Sequence, residues 1–576
     1  MLAVYLILPI LSVTVPFAII FRAVIAYLQD PKGFRKYPAQ NWLSAFTKLG
    51  YCWELGRKHP VIHSRRLYLD HTTKKHQVIR LGPNWISFGR ARAARDIYGF
   101  NSTCKKSAIY DQLSDGGGAH LANISDKELH KFRRSMVAHY YAPKYQQYWE
   151  EKWIIDSCAD FMNAIDTMCT AKPASDYETP NPDDLKLDLV HWGYTYACEV
   201  MVKIGLSKDL HLLDQGNNNI EIQDSDGTKR EVSIVQSLHC AGRAAANVVW
   251  DTKRFTMWAN LLKRVSKEYA HNAQGGSDWH AAMTKLVLER IDRFKNGEKL
   301  NDLFVPWLED KQGDEPNINT RDRIAGKSYL SSKCARVLAI LKLKRIWLAN
   351  IVFKRSQNPL SAPEVEQMVG AAIDAPGGSV ATIIYNLAKD PRTFRKLRDE
   401  LDAGLPAKRT VATWQQIKNM PYLKGCVDEA MRLHPPVATD LIRRTPPEGV
   451  TIDGVRVPGN TDISISAYTS HRDPDVFPDP EKWYPDRWIE NRGTDLMKEM
   501  LACWIPFSAG YRTCMGRNVS IVIQACVIAT LVHNYDFALP SKDWELPFEE
   551  WFNLWPTKCP VKVWKRENYA QPQVVA

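Results

Sequence analysis

Segments with the 3.6-residue period of a helix fill most of this chain, and only short β-branched runs interrupt them. The helical stretches are residues 149–168, 184–204, 233–267, 278–294, 368–390, 392–401 and 423–433. The β-type runs, at 77–81, 86–88, 450–457, 463–467 and 561–563, suffice only for small sheets. That proportion predicts a mainly α (α+β) architecture, one large helical domain with small peripheral β-sheets. With 576 residues the chain can bury a large core without a disulfide or metal staple. Residues 368–390 are apolar and rich in small side chains, which predicts a deeply buried helix. Ser361-Ala362-Pro363-Glu364 is the start expected for it, with Ser361 as cap and Glu364 closing a capping box.

Residues 1–21 carry no charged side chain, and after Arg22 the apolar character resumes to Leu28. About 20 apolar residues cross a bilayer as a helix. Residues 1–28 therefore read as a membrane anchor, with a cleaved signal peptide as the competing reading; no basic leading region or clear cleavage site favours the latter. Lys32, Arg35 and Lys36 follow at once and place residues 29–576 on the cytosolic side. On that side the sequons at Asn101, Asn123 and Asn518 are silent.

The net charge of +12 invites a nucleic-acid reading, but its distribution argues against one. Residues 319–359 hold ten Lys/Arg and one acid, so this atypical basic insertion alone supplies nine of the twelve net charges. A surface shaped for phosphate throughout would spread that charge, and no nucleic-acid partner is expected. A solvated insertion, a translated intron and a functional basic patch remain open for this segment. The twelve cysteines include no Cys-x-x-Cys pair, which excludes a zinc ribbon or small disulfide framework and suits a reducing compartment.

Cys514 differs from the others in its neighbours, Phe507-Ser508-Ala509-Gly510-Tyr511-Arg512-Thr513-Cys514-Met515-Gly516. A thiolate that ligates iron needs backbone N–H groups facing sulfur, which glycine-bearing turns permit. A helix beginning just after it, at 518–532, is expected to lower the thiol pKa through its amino-terminal dipole. Arg512 is the nearby cation, and Phe507 can pack beside the sulfur and limit water.

This stretch resembles the cytochrome P450 haem signature Phe-x-x-Gly-x-Arg-x-Cys-x-Gly, with Phe507, Gly510, Arg512, Cys514 and Gly516 at its fixed positions. Two further signatures precede it in the family's order. Glu429-Ala430-Met431-Arg432 matches the Glu-x-x-Arg helix, and Pro485-Asp486-Arg487-Trp488 matches the Pro-Glu-Arg-Phe segment with two conservative differences. Glu429 and Arg432 are three apart and share a helix face; the resemblance implies that Arg487 completes a structural ion network with them. It spans residues 29–576 and is closest in flavour to filamentous-fungal, membrane-bound members. It also implies haem b with Cys514 as axial ligand and metal ligand. Haem contacts from His130 and Arg134 follow from the Trp/His-x-x-x-Arg motif, and one from Arg444, ten residues before Gly454.

The family's central helix carries Ala/Gly-Gly-x-Asp/Glu-Thr, whose acid and alcohol deliver protons. Here the equivalent is Ala371-Ala372-Ile373-Asp374-Ala375-Pro376. The acid is kept as Asp374, the expected catalytic residue; the alcohol is Ala375. Pro376 removes a helical hydrogen bond, at a cost of roughly 3 kcal/mol, and predicts a built-in kink. Ordered water or a substrate hydroxyl is expected to replace the missing alcohol, with Ser379 a weaker alternative.

A thiolate ligand pushes electron density to iron and favours O–O cleavage. With no Gly-x-Gly-x-x-Gly module in the chain, the resemblance implies electrons from NADPH through a membrane-bound NADPH–cytochrome reductase docking on the Cys514 face. The activity implied is a haem-thiolate monooxygenase acting on a small lipophilic molecule, in fungal secondary metabolism, as a monomer in the endoplasmic reticulum membrane. Two alternatives stand beside it: desaturation or rearrangement without oxygen insertion, suited to the lost alcohol, and a catalytically degenerate haem-binding membrane protein.

Overall fold

The computed structural model describes residues 14, 17–18, 20–56, 59–107, 109–110, 120–173, 179–224, 226–307 and 361–567. The basic segment 319–359 and most of the anchor expected at 1–28 lie outside the described residues. Helices dominate, as their periodicity requires. Those that position the site are α1 (Lys127–Val137), α2 (Leu189–Leu206), α3 (Ile234–Ala246), α4 (Phe255–Val265), α5 (Lys267–Lys295), α6 (Ser361–Lys389), α7 (Pro421–Leu433) and α8 (Arg517–Asn534).

The largest core lies where α2, α6 and α8 meet, and α6 is its axis: Val369, Ile373, Val380, Ile383, Ile384 and Leu387 are fully buried. Among the described residues 368–389 is the one helical stretch long and apolar enough to span a membrane, yet it is mostly buried inside the protein. Its apolarity is that of a core helix. The approach of α2 to α6 depends on two glycines. A Cβ on Gly193 would stand 2.7 Å from the Gly377 carbonyl oxygen, and one on Gly377 would stand 3.0 Å from the Cα of Tyr194.

Helix α6 runs unbroken through Pro376. Pro376 has no N–H to give the carbonyl of residue 372, and Ser379 Oγ donates to the Ala375 carbonyl at 2.6 Å. The stretch 233–267, expected as one helix, is divided. Helix α3 ends at Ala246, and Ser266 caps α5 by accepting from the Tyr269 N–H at 3.1 Å.

Five short strands, β1 (Val78–Gly82), β2 (Trp85–Phe88), β3 (Lys105–Lys106), β4 (Arg443–Arg444) and β5 (Asp462–Ser464), form one sheet in the order β1-β2-β5-β4-β3. The β5–β2 pair is parallel and the others are antiparallel, with Arg443 opposite Ile463 and Arg444 opposite Asp462. A separate hairpin of β6 (Phe548–Glu550) and β7 (Leu554–Pro556) lies against α6. A further hairpin, Asn219–Gln223 with Lys229–Ser233, was not expected, although Ile220 and Ile222 alternate with polar residues and Asp226-Gly227 stands between the strands.

Candidate functional site

The segment before α8 folds back on itself. Ser508 and Gly510 take positive φ (57° and 64°), and the Cys514 N–H returns to the Phe507 carbonyl at 2.9 Å. Gly510 must be glycine: a Cβ there would lie 2.4 Å from the Tyr98 carbonyl oxygen. Phe507 is buried against Trp504, and the Arg517 guanidinium lies over its ring, 5.8 Å from the centroid. A Cβ at Gly516 would lie 3.9 Å from Sγ, an ordinary contact, so the packing around the sulfur does not itself require glycine there.

Cys514 is the exposed cysteine among those described, and it lines a cavity of about 250 Å³ together with Arg134, Tyr141, Met515 and Asn518. Solvent reaches the sulfur through that cavity, while the loop packs its other sides. This packing pushes the thiol pKa up, against the N–H groups of Gly516 and Arg517 and the charges of Arg134 and Arg517, which pull it down. The lowering expected from the helix start is present and outweighed: desolvation of a sulfur enclosed by protein costs the thiolate more than dipoles and cations return.

His130 and Arg134 lie one turn apart on α1. Arg134 Nη1 donates to the Thr513 carbonyl at 2.7 Å, which ties α1 to the Cys514 loop. His130 is buried; burial and the cations Arg512, Arg134 and Lys106 lower its pKa to about 3, so it is neutral. Arg512 donates to the main-chain carbonyls of Ile124 (2.8 Å) and Ser125 (3.2 Å) at the approach to α1. The contacts described for these cations are with main-chain carbonyls, so their charge is not neutralised by those contacts. A thiol open to a cavity that the Arg134 guanidinium also lines suits a flat dianionic macrocycle such as haem, ligated by Cys514.

Arg444 lies elsewhere. Its guanidinium, half-exposed, pairs with Asp462 at 2.8–2.9 Å. The neighbouring Arg443 points to the opposite face of β4, as strand alternation requires. It is buried 4.9 Å from the Tyr98 ring centroid, with only long contacts of 3.2 and 3.4 Å to the carbonyls of Ile442 and Leu441. Asp462, eighteen residues after Arg444, claims one member of the Arg443-Arg444 pair and leaves Arg443 without a carboxylate partner among the described residues.

Glu429, Arg432 and Arg487 come together in full burial. Arg432 Nε and Nη2 each reach a Glu429 oxygen at 2.9 Å, and Arg487 Nε reaches Oε1 at 3.1 Å. Trp488 Nε1 adds a donor at 3.0 Å, a contact the family's Phe cannot make. Burial alone would raise the Glu429 pKa, and the two arginines hold it below the ordinary carboxylate value.

Asp374 is buried on α6. Its Oδ2 accepts from Asn553 Nδ2 of the β6–β7 turn, and its Oδ1 lies 3.3 Å from Nε2 of His239 on α3. Nothing local marks His239 or Asn553 for this role: they are 135 and 179 residues away from Asp374 along the chain. Ser379, its hydroxyl engaged with its own helix, does not reach toward Asp374 as a donor.

Residues 361–563 match the family model for cytochrome P450. A cytochrome P450 monooxygenase of Aspergillus terreus is 24% identical over 547 residues, covering 92% of this chain and 94% of that protein. Pisatin demethylase of Fusarium vanettenii is 32% identical over 221 residues, or 38% of this chain and 42% of its own length. Tryprostatin B 6-hydroxylase of Aspergillus fumigatus is 22% identical over 498 residues, covering 85% and 74%.

Proposed function

Because this chain belongs to the cytochrome P450 superfamily, we propose that it is a haem-thiolate monooxygenase oxidising a small lipophilic molecule in fungal secondary metabolism. The observation that carries this reading is Cys514, held in a glycine-dependent loop at the amino end of α8 with its sulfur open to a cavity. Thiolate-bound haem supplies oxidising power sufficient for an unactivated C–H bond, using O₂ and two electrons delivered from outside.

The chain's own residues do the rest. Cys514 ligates; Phe507 and the packed loop limit water at the sulfur. Arg134, Arg443 and Arg512 offer positive charge to carboxylates at the rim of the ring, and His130, neutral, offers a hydrogen bond there. Glu429, Arg432 and Arg487 fix the scaffold beneath the loop, and Asp374 handles protons on α6. Electrons come from NADPH through a reductase docking on the Cys514 face.

The protein resides on the cytosolic side of the endoplasmic reticulum membrane, anchored by residues 1–28. Two features support membrane contact. The helix of residues 20–29 exposes Phe21, Val24, Ile25 and Leu28. On α4, Met257, Leu261 and Val265 form an exposed stripe at four-residue spacing, beside the exposed cations Lys263 and Arg264.

The test is co-expression with a fungal reductase. The reduced protein under carbon monoxide should absorb near ~450 nm, as a thiolate-bound haem does, and Cys514→Ala should abolish the band and the product. A folded protein that takes up no haem overturns the reading. The absent alcohol at Ala375 favours one second reading, desaturation without oxygen insertion; product that carries no label from ¹⁸O₂ selects it.

A further inference from the structure

Buried polar atoms without hydrogen bonds are rare, because each forfeits its hydration for nothing. Several gather around Asp374. Its Oδ1 and Nε2 of His239 are 3.3 Å apart yet misaligned, so neither has a hydrogen-bond partner. The hydroxyl of Tyr194, only 2% exposed, has none either. It sits over α6 one turn beyond Asp374, where a Cβ on Gly378 would come within 3.2 Å of it. The Tyr194 ring meets His239 edge-on, with centroids 5.0 Å apart.

The rest of the cluster holds these groups in place. Asn553 occupies Oδ2 of Asp374 and leaves Oδ1 free. Trp555 stacks on the His239 ring at 4.0 Å and 16°, and fixes its plane. The stack needs Gly242, since a Cβ there would come within 2.9 Å of the indole. His239 Nδ1 has no hydrogen-bond partner among the described residues, and the side chain is 14% exposed, so one ring edge faces the carboxylate and the other faces outward. The other charged groups facing the ring are Arg243, on the next turn of α3, and its partner Glu549 on the hairpin.

We propose that His239 and Asp374, with the Tyr194 hydroxyl beside them, hold the water that passes protons inward, in place of the alcohol that Ala375 lacks. This rests on the monooxygenase reading. The transfer balances: His239 Nδ1 takes one proton from the outer side while Nε2 gives one to the held water. That water gives one to Asp374 Oδ1, and the carboxylic acid releases one to water further in. One proton enters, one leaves, and no electron moves. Asp374 is the inner donor, and His239 is the positioning residue that reloads it.

The experiment uses the reductase-coupled holoenzyme with dioxygen as the only acceptor and no organic substrate. Each O₂ leaves either as hydrogen peroxide, after two protons and two electrons, or as two waters, after four of each; the second route needs faster proton supply. His239→Phe keeps the stack on Trp555 and removes both nitrogens. It should raise the peroxide-to-water ratio about tenfold, less than the ~10²–10⁴ of a group that transfers the proton itself, because His239 acts through Asp374, and flatten the dependence of that ratio on pH. Tyr194→Phe should shift the ratio the same way, and it serves if His239→Phe does not fold.

A second readout is independent of turnover. In protein labelled with ¹⁵N-histidine, Asp374→Asn should move the His239 nitrogen signals, which are identified by their loss in His239→Phe. A native ratio with a native pH profile in both variants, or His239 signals indifferent to Asp374→Asn, overturns the proposal. A native protein lacking the ~450 nm band overturns the monooxygenase reading instead, and the nitrogen signals then still decide whether the pair exists.

Discussion

Arg432 holds both carboxylate oxygens of Glu429 at 2.9 Å from three residues along α7, and neither side chain touches solvent. The remaining fork atoms of Arg432 are spent on the carbonyls of His471 (2.9 Å), Pro480 (2.7 Å) and Lys482 (3.1 Å). Glu429 thus ties its helix to the 471–488 segment that leads to the Cys514 loop. Removing the charge strands two buried guanidinium groups, a loss of about 3–5 kcal/mol for a broken buried pair. Glu429→Gln should lower the urea midpoint accordingly and reduce haem content in parallel. A variant with a native midpoint would show that the lock is dispensable.

The pH dependence of stability follows from buried groups of two kinds. Burial lowers the pKa of His434 and His471 to about 3 and that of His71 to about 4. Unfolded histidine takes its proton near ~6.5, so the stability these rings contribute is complete above that value and is lost as pH falls toward their folded values. Burial raises Asp440 to about 6 and Glu550 to about 7, with the opposite sign: these acids cost stability at neutral pH, and the cost fades as pH falls toward the ordinary carboxylate range. With His130 (about 3) and His120 (about 4) the depressed histidines outnumber the two raised acids, which offset only part of the loss. Urea midpoints should therefore decline as pH falls below ~6.5 and go on declining through about pH 4, where the compensation by the acids ends and Glu429, with its lowered pKa, adds its own loss. Glu550→Gln should stabilise the protein at pH ~8 and much less at pH ~4.5; an equal gain at both would exclude this account.

The parts of the site that were legible in the sequence are local ones. Phe507 to Gly516 folds as a unit because its glycines and the following helix start are all within ten residues, and Glu429 with Arg432 needs only the helix period to pair. What stayed hidden depends on tertiary placement. The choice between Arg443 and Arg444 turns on which face of β4 meets Asp462, and the partners of Asp374 arrive from α3 and the β6–β7 turn. The anticipated helix at 233–267 breaks for local reasons: the chain leaves helical geometry after Ala246, with Asp251 at φ −134° and ψ 72°, and Ser266 near the far end of the stretch caps the next helix instead of continuing the last one.

Gly193 and Gly377 predict a steric effect with no chemistry in it. Each places its missing Cβ against the opposite backbone, at 2.7 Å from the Gly377 oxygen and 3.0 Å from the Tyr194 Cα respectively. Backbone cannot step aside as a flexible side chain can, so one added methyl must part α2 from α6. Gly377→Ala should cost about 1–3 kcal/mol, the range for overpacking a filled core, although alanine is the better helix former. Thermal unfolding measures this; an unchanged or raised midpoint would mean that the two helices can separate freely.

Arg443 and Arg444 make the sharpest comparison, because they are adjacent, carry the same charge and differ only in the face of the strand. Arg444 satisfies Asp462, which also receives Lys48 at 3.2 Å and the Ser107 hydroxyl at 3.1 Å. Its loss leaves that carboxylate partly paired and should weaken the sheet more than the haem site. Arg443 is buried, stacked on Tyr98 and without a carboxylate within 4.0 Å among the described residues. A buried guanidinium so poorly paired is costly unless a bound anion completes it. Arg443→Leu should leave the haem-free protein as stable as the native one, or more so, and speed haem transfer to excess apomyoglobin about tenfold, as loss of a charge-assisted contact of ~1.5 kcal/mol requires. Arg444→Leu should lower the unfolding midpoint and change the transfer rate little. The reverse pattern would return the haem-facing role to Arg444.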